Sequence, residues 1–358
     1  MKNTLLTSAL LGAGLISFAL PAVAQDSRRS IPVELVAEDG TKTATDWPLI
    51  TAEEITKPWN ICVLFPHLKD SYWLATNYGV ADQIMQTNTS MTLYAAAGYN
   101  DLSTQLDQID NCIVQGMDGI ILGAISADGV GALVKKATDA GIPVIDFING
   151  VNEPSTSAHA LVSFYDLAYT TGKYIVEQAN GKPLKVGFFP GPQGAGWSDA
   201  AVKGFNDALD GSPVEVVVTR RGDTGLSVQL DFISNALLTY DGIDWIVGVD
   251  IAAEAGAIAV RNAGLIGQVD VAAFDIIPPV YRDIKAGATK ASPTDFTVLQ
   301  GRLAVDMVLR LLEGQELMAK RAGPKPEMVT TDNYDTFELS DMFAPDDFKV
   351  IFSVDKGK

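Results

Sequence analysis

Ile61-Cys62-Val63-Leu64-Phe65-Pro66-His67-Leu68-Lys69-Asp70-Ser71-Tyr72-Trp73 passes from a short apolar run, through a polar turn, into a helically spaced segment ending near Gln86. A run that short and apolar reads as a strand buried on both faces, and the segment after the turn as the helix of a βα unit. The pattern repeats along the chain. Met91 to Ala96, Gly119 to Leu122 and Pro143 to Phe147 read as strands; Leu102 to Gln115 and 126–139 read as the helices between them. Strands alternating with helices of about 10–15 residues imply a parallel sheet covered on both faces.

Residues 150–160 are polar and interrupt the alternation, which places a lobe boundary there. A second series comes next, with strands at Lys185–Phe189, Val214–Thr219, Trp245–Val249 and Val271–Phe274. Helices at 166–180, 197–210, 226–239 and 252–263 separate them. Helix 279–286, a short strand near Thr289 to Ala291 and a long helix from Asp295 to Leu312 close the series. The expected fold is α/β: two doubly wound parallel-sheet lobes joined by a hinge. The expected first lobe is 58–155 with 280–315, and the second is 156–279 with 316–358. Residues 25–57, broken by Pro32, Asp39-Gly40 and Pro48, are expected to lie on the surface as an extension.

The start of the chain sets the compartment. Met1-Lys2-Asn3 is positive, Thr4 to Leu20 is an uncharged and mostly apolar run, and Pro21-Ala22-Val23-Ala24 ends in small residues. This predicts a signal peptide over 1–24, cut between Ala24 and Gln25, and a periplasmic location. Thr4 to Leu20 is at the short limit for a membrane span, and no later stretch is long enough, so no membrane insertion is expected once the leader is removed. A net charge of −18 argues against nucleic acid as a partner. The two cysteines, Cys62 and Cys112, are either one disulfide or two buried small hydrophobes. With two histidines they do not make a zinc site, and no cofactor motif is present.

Ligands in doubly wound sheets bind beyond the carboxyl ends of the strands. Asp70, Tyr72 and Trp73 follow the first strand, Tyr99 follows the second, and Phe164 opens the second lobe. Asp250 and Asp275 follow two strands of the second lobe. Aromatic rings beside a carboxylate suit a methylated ammonium group, since each ring face attracts the cation by ~0.5–2 kcal/mol. The plainer reading is that Tyr72 and Trp73 face a core, Asp70 or Ser71 caps the helix, Asp250 caps the next one and Asp275 sits in a turn. Gly191-Pro192-Gln193-Gly194-Ala195-Gly196-Trp197 has the wrong spacing for a phosphate loop. It reads instead as a tight turn that carries Trp197 to the cleft. His67 and His159 stand in neither a Gly-x-Ser-x-Gly nor a His-Glu-x-x-His context, so an enzyme is not expected.

Residues 62–74, Ala97-Gly98-Tyr99, Gln108 to Cys112, Pro190-Gly191-Pro192 and Ile251 to Ala255 resemble, in order, the type I periplasmic-binding family. The likeness is to the branch that binds trimethylamine N-oxide and signals to a sensor histidine kinase. The resemblance implies an aromatic box with a nearby carboxylate, to which Asp70, Tyr72, Trp73 and Tyr99 correspond. Phe164 and Asp275 stand where that branch has tryptophan and tyrosine, and Asp275 is expected to be an anion. The implied function is a receptor for a small methylated amine or amine oxide. The alternative is a solute-binding subunit of an importer for a sugar or amine, although the arginine typical of sugar binders is absent from Ser198-Asp199-Ala200-Ala201.

Overall fold

The computed structural model describes residues 30–356. The expected leader lies outside them. The first sheet is built from β1 (Ser30–Val36), β2 (Lys42–Pro48), β3 (Asn60–Phe65), β4 (Ser90–Ala95), β5 (Gly119–Leu122), β6 (Val144–Phe147) and β7 (Ala158–Ala160). Helices α1 (Ser71–Gln86), α2 (Leu102–Val114) and α3 (Gly131–Asp139) connect its parallel strands. The second sheet takes β8 (Leu184–Phe189), β9 (Val214–Thr219), β10 (Trp245–Gly248), β11 (Asp270–Ala273) and β12 (Ala291–Pro293). Its helices are α4 (Phe164–Ala179), α5 (Gly196–Leu209), α6 (Leu226–Thr239), α7 (Asp250–Asn262) and α8 (Pro278–Lys285). The chain then adds α9 (Thr297–Leu312), β13 (Arg321–Pro324), β14 (Met328–Thr330) and β15 (Ser353–Val354).

Strand order is β15-β4-β3-β5-β6-β7-β13-β1-β2 in one sheet and β14-β12-β11-β10-β8-β9 in the other. In each, the first strand of the series has its successor on one side and the next strand on the other. The order therefore reverses between β3 and β5, and again between β8 and β10. Such reversals open a crevice at the strands' carboxyl ends. Alternation within β3 explains its two-sided burial: Cys62 and Leu64 join the cluster under α2 and α3, while Ile61, Val63 and Phe65 join the main core. Cys62 and Cys112 are joined by a disulfide inside the smaller cluster, tying β3 to α2.

Three expectations about organisation are corrected. Residues 30–48 are largely exposed but are more than an extension laid on the body: β1 and β2 form an antiparallel hairpin that extends the first sheet through β13. Ile31, Val33 and Trp47 are buried, and the Trp47 indole N–H donates to Asp306 of α9 at 2.6 Å. The same carboxylate accepts from the Ile50 amide and from Arg310. The 150–160 stretch is not the boundary, because β7 within it pairs with β6 and β13. The crossing falls at 161–163. Finally, β12 pairs with β11 and belongs to the second sheet, whereas α9 packs on β5, β6 and β7 of the first. The chain crosses again at 294–296, and the C-terminal segment serves both lobes, with β13 and β15 in the first sheet and β14 in the second. These pairings join residues far apart in sequence, so local patterning carries no trace of them.

Candidate functional site

The carboxyl ends of the two sheets face one another. His67 and Asp70 follow β3, Tyr99 follows β4, and Ile148 and Asn149 follow β6. From the other lobe come Trp197 after β8, Thr224 after β9, Val249 and Asp250 after β10, and Asp275 after β11. With Tyr72, Trp73 and Phe164 they enclose one cavity. All eight residues singled out in the sequence line it. Its free space is only about 20 Å³, roughly one water position. Side chains rather than solvent fill the cleft, and only a compact ligand fits with little rearrangement.

Local structure places each group. Asp70 is the N-cap of α1, accepting from the Trp73 amide at 3.3 Å, so capping and cleft placement are the same feature. The cap swings Trp73 inward, where its ring meets Phe65 at 4.8 Å and Phe147 at 6.1 Å. Tyr99 follows Gly98, whose φ of +139° favours glycine, and a Cβ there would come within 2.5 Å of the Lys69 ammonium. The Tyr99 hydroxyl accepts from Asn149 at 3.1 Å, and Asn149 also donates to the Ala124 carbonyl at 2.8 Å. Ile148 beside it holds φ +67°, a strained conformation for a β-branched residue. Gly191, at φ +93°, leaves room for the Trp197 ring, which a Cβ would strike. The rings of Tyr99 and Trp197 lie 5.6 Å apart across the lobes, and Trp197 and Phe164 5.3 Å apart.

The electrostatics are lopsided. Among the described residues, no lysine or arginine lines the cavity. Burial pushes the Asp70 carboxyl up to about 6. Asp250 is held well above the usual range, first by burial and then by the Asp70 charge; Asp275 likewise, by burial and then by Asp250. Asp295, in the crossing before α9, is pushed up to about 7 by burial. It faces the Tyr72 hydroxyl, whose proton is held more tightly by burial and by the neighbouring Asp295 charge. His67 does not offset these charges, because burial and then Lys69 lower it to about 4. Burial among other carboxyls works against the expectation that Asp275 is an anion: its proton is held well above the ordinary range, and the protonated form can donate a hydrogen bond. Its Oδ1 accepts from the Asp250 amide at 2.8 Å, leaving Oδ2 for the cavity.

Sequence reasoning passed over His67 as a lining residue, and with it Ile148, Asn149, Thr224, Val249 and the nearby Asp295. The strand-end rule that selected Tyr99 and Asp250 applies equally to Asn149 after β6 and Asp295 after β12. At the cleft mouth Lys69 of the first lobe pairs with Asp223 of the second at 3.1 Å, and His67 Nε2 lies 3.3 Å from the Thr224 hydroxyl.

Comparison with known proteins agrees with this fold. Residues 61–316 match the family model described as periplasmic binding protein domain. Periplasmic protein TorT of Escherichia coli K12 is 34% identical over 296 residues, covering 83% of this chain and 85% of TorT. A crystal structure of an ABC transporter solute binding protein from Bradyrhizobium sp. BTAi1 with bound bis-tris is 40% identical, with a TM-score of 0.75. It covers 90% of this chain and 98% of that one. The TorS sensor domain–TorT complex in the presence of TMAO is 27% identical with a TM-score of 0.73, covering 82% and 99%.

Proposed function

This chain belongs to the periplasmic binding protein family, and on that basis we propose that it is the receptor for a small methylated amine or amine oxide, signalling to the periplasmic domain of a sensor histidine kinase. It works in the periplasm, and residues 1–24 are the leader that takes it there. The observation that carries the ligand reading is the cavity itself: Tyr72, Trp73, Tyr99, Phe164 and Trp197 supply the rings, and Asp70, Asp250 and Asp275 the carboxyls, with no fixed cation. Ring faces hold the methylated nitrogen. Ionised carboxylates balance a full cation, and a protonated Asp275 donates to an N-oxide oxygen, so the departure from tyrosine keeps a donor in place. The similarity to TorT, which is seen in complex with the TorS sensor domain, supports the kinase partner. The chain binds its ligand and does not transform it.

Opening and closing of the lobes carries the signal. The ligand stabilises the closed state only by as much as it binds that state better. Lys69–Asp223 and Tyr99–Trp197 are contacts that exist only when the lobes are together. The second reading is a solute-binding subunit of an importer, favoured by the similarity to the Bradyrhizobium solute binding protein. The bis-tris in that relative is a tertiary amine, so an amine ligand suits either reading. Thermal unfolding of the mature protein with trimethylamine N-oxide, trimethylamine, choline, glycine betaine and a panel of sugars tests the ligand class. A ligand at 100 times its dissociation constant adds about 2.7 kcal/mol, a visible rise in midpoint. A shift with a methylated amine is expected; a shift with sugars alone sinks the proposal. Co-purification with the kinase's periplasmic domain, rather than with permease subunits, separates the two partner readings.

A further inference from the structure

Beside the aromatic cavity lies a second and larger one of about 280 Å³, next to the crossing at 161–163. The two share Ile148, Asn149, Phe164 and Trp197 as a common wall. Its chemistry is the reverse of the first. Arg321 of β13 and His159 of β7 are register partners on adjacent parallel strands, so their side chains share a face. The Arg321 Nε is buried without a hydrogen-bond partner, and no carboxylate of the described residues pairs with its guanidinium. Asp146, fully buried, holds the His159 ring through Nδ1 at 2.7 Å and accepts from the Val151 amide. Asp146 is thus engaged by the His159 ring and the Val151 amide, and no ion pair of the described residues includes Arg321. Asn152 and Ser163 add polar groups to the lining.

The cleft therefore runs from a tight, carboxyl-rich, aromatic end to a roomier end with an unpaired guanidinium. We propose that the second cavity is a subsite for the carboxylate of a zwitterionic ligand whose methylated ammonium head occupies the first. The ligand class is a trimethylammonium carboxylate with a short flexible spacer. An unpaired buried guanidinium N–H is costly, and a carboxylate satisfies it with a charge-assisted, geometrically matched bond. Phe164 and Trp197 form part of the wall between the cavities, and a swing of the Trp197 ring would open one towards the other.

This rests on the proposed head-group reading, and the test separates the two. Titration calorimetry at neutral pH compares tetramethylammonium and trimethylamine N-oxide as heads alone, butyltrimethylammonium as a head with an uncharged tail, and γ-butyrobetaine as the same head with a carboxylate. In the wild-type protein γ-butyrobetaine is expected to bind at least tenfold tighter than butyltrimethylammonium. Arg321→Gln is expected to erase that advantage while leaving the heads alone unchanged, and Arg321→Lys to keep part of it; unchanged melting curves show that the variants fold. An equal affinity for the two tails in the wild type, or an advantage that survives Arg321→Gln, overturns the proposal. So does sodium acetate binding alone in an Arg321-dependent way without competing with γ-butyrobetaine, which identifies a separate anion site. If no head compound binds at all, the head-group reading itself fails; if heads bind and the carboxylate adds nothing, only the tail subsite fails.

Discussion

The two halves of the cleft are built on different principles. The first-lobe half is an outgrowth of its own core: Trp73 packs on Phe65 and Phe147, and Asp70 caps the helix that carries Trp73. The second-lobe half adds Phe164 and Trp197 but is dominated by acids: Asp275 accepts from the Asp250 amide, and the Asp250 charge raises the proton affinity of Asp275. The rings of the first half are inseparable from folding, whereas the acids of the second can be changed without removing core packing. Substitutions should therefore cost stability and binding together on one side, and binding alone on the other.

The largest effect is expected for Trp73→Ala, which removes a ring buried in the first-lobe core. A loss of about 3–5 kcal/mol in unfolding free energy should accompany the loss of ligand binding. Chemical denaturation measures it, and a variant of normal stability would mean that the ring is not part of the core. Asp250→Asn should do the opposite. The amide keeps the oxygen that accepts from Ile251 and removes a buried charge, so stability should change by less than about 1 kcal/mol. Affinity for a permanent cation should fall by one to two orders of magnitude, about 1.4–2.7 kcal/mol. Equal losses of stability from both substitutions would erase the distinction between the halves.

Ionisation involves both halves. Asp70 and Asp295 are raised to about 6 and about 7, and a permanent cation favours their charged forms. Choline should therefore bind more tightly as pH rises from 5 to 8, with the steepest change between about 6 and 7. An amine oxide that takes a hydrogen bond from a protonated carboxyl should bind more weakly over the same range. Calorimetry at four pH values checks the opposed signs; parallel profiles would show that the carboxyls do not contact the ligand. The smallest effect is expected at the mouth. Lys69 is partly exposed, so Lys69→Met should change affinity by no more than about fivefold, within the ~0–1 kcal/mol of exposed ion pairs.

Much of the site was readable because one stretch, Phe65 to Trp73, holds a strand end, a helix cap and two rings in immediate succession. Asp250 and Asp275 were readable from strand ends alone. Asn149 was not, because it opens a polar run that looked like a linker. Nor was Asp295: β12 has only three residues, and the next helix appeared to begin at the aspartate. The hairpin of β1 and β2 was hidden by Pro32, which normally breaks a ladder. Here Pro32 lies before the stretch of β1 that pairs with β13, so no hydrogen bond is lost on that side. The strained backbone at Ile148 and the interleaved lobes depend on contacts between distant segments, which no local pattern records.

Above all, the cleft is expected to select for positive charge at a methylated nitrogen. Titration calorimetry of trimethylamine N-oxide, choline and 3,3-dimethylbutan-1-ol, the neutral carbon counterpart of choline, isolates that charge. Binding of at least one trimethylammonium compound, with the alcohol at least about 100-fold weaker, is the predicted result, equivalent to about 2.7 kcal/mol for the charge. Equal binding of choline and the alcohol would contradict this selectivity and leave the cavity as an apolar pocket with buried, neutral acids.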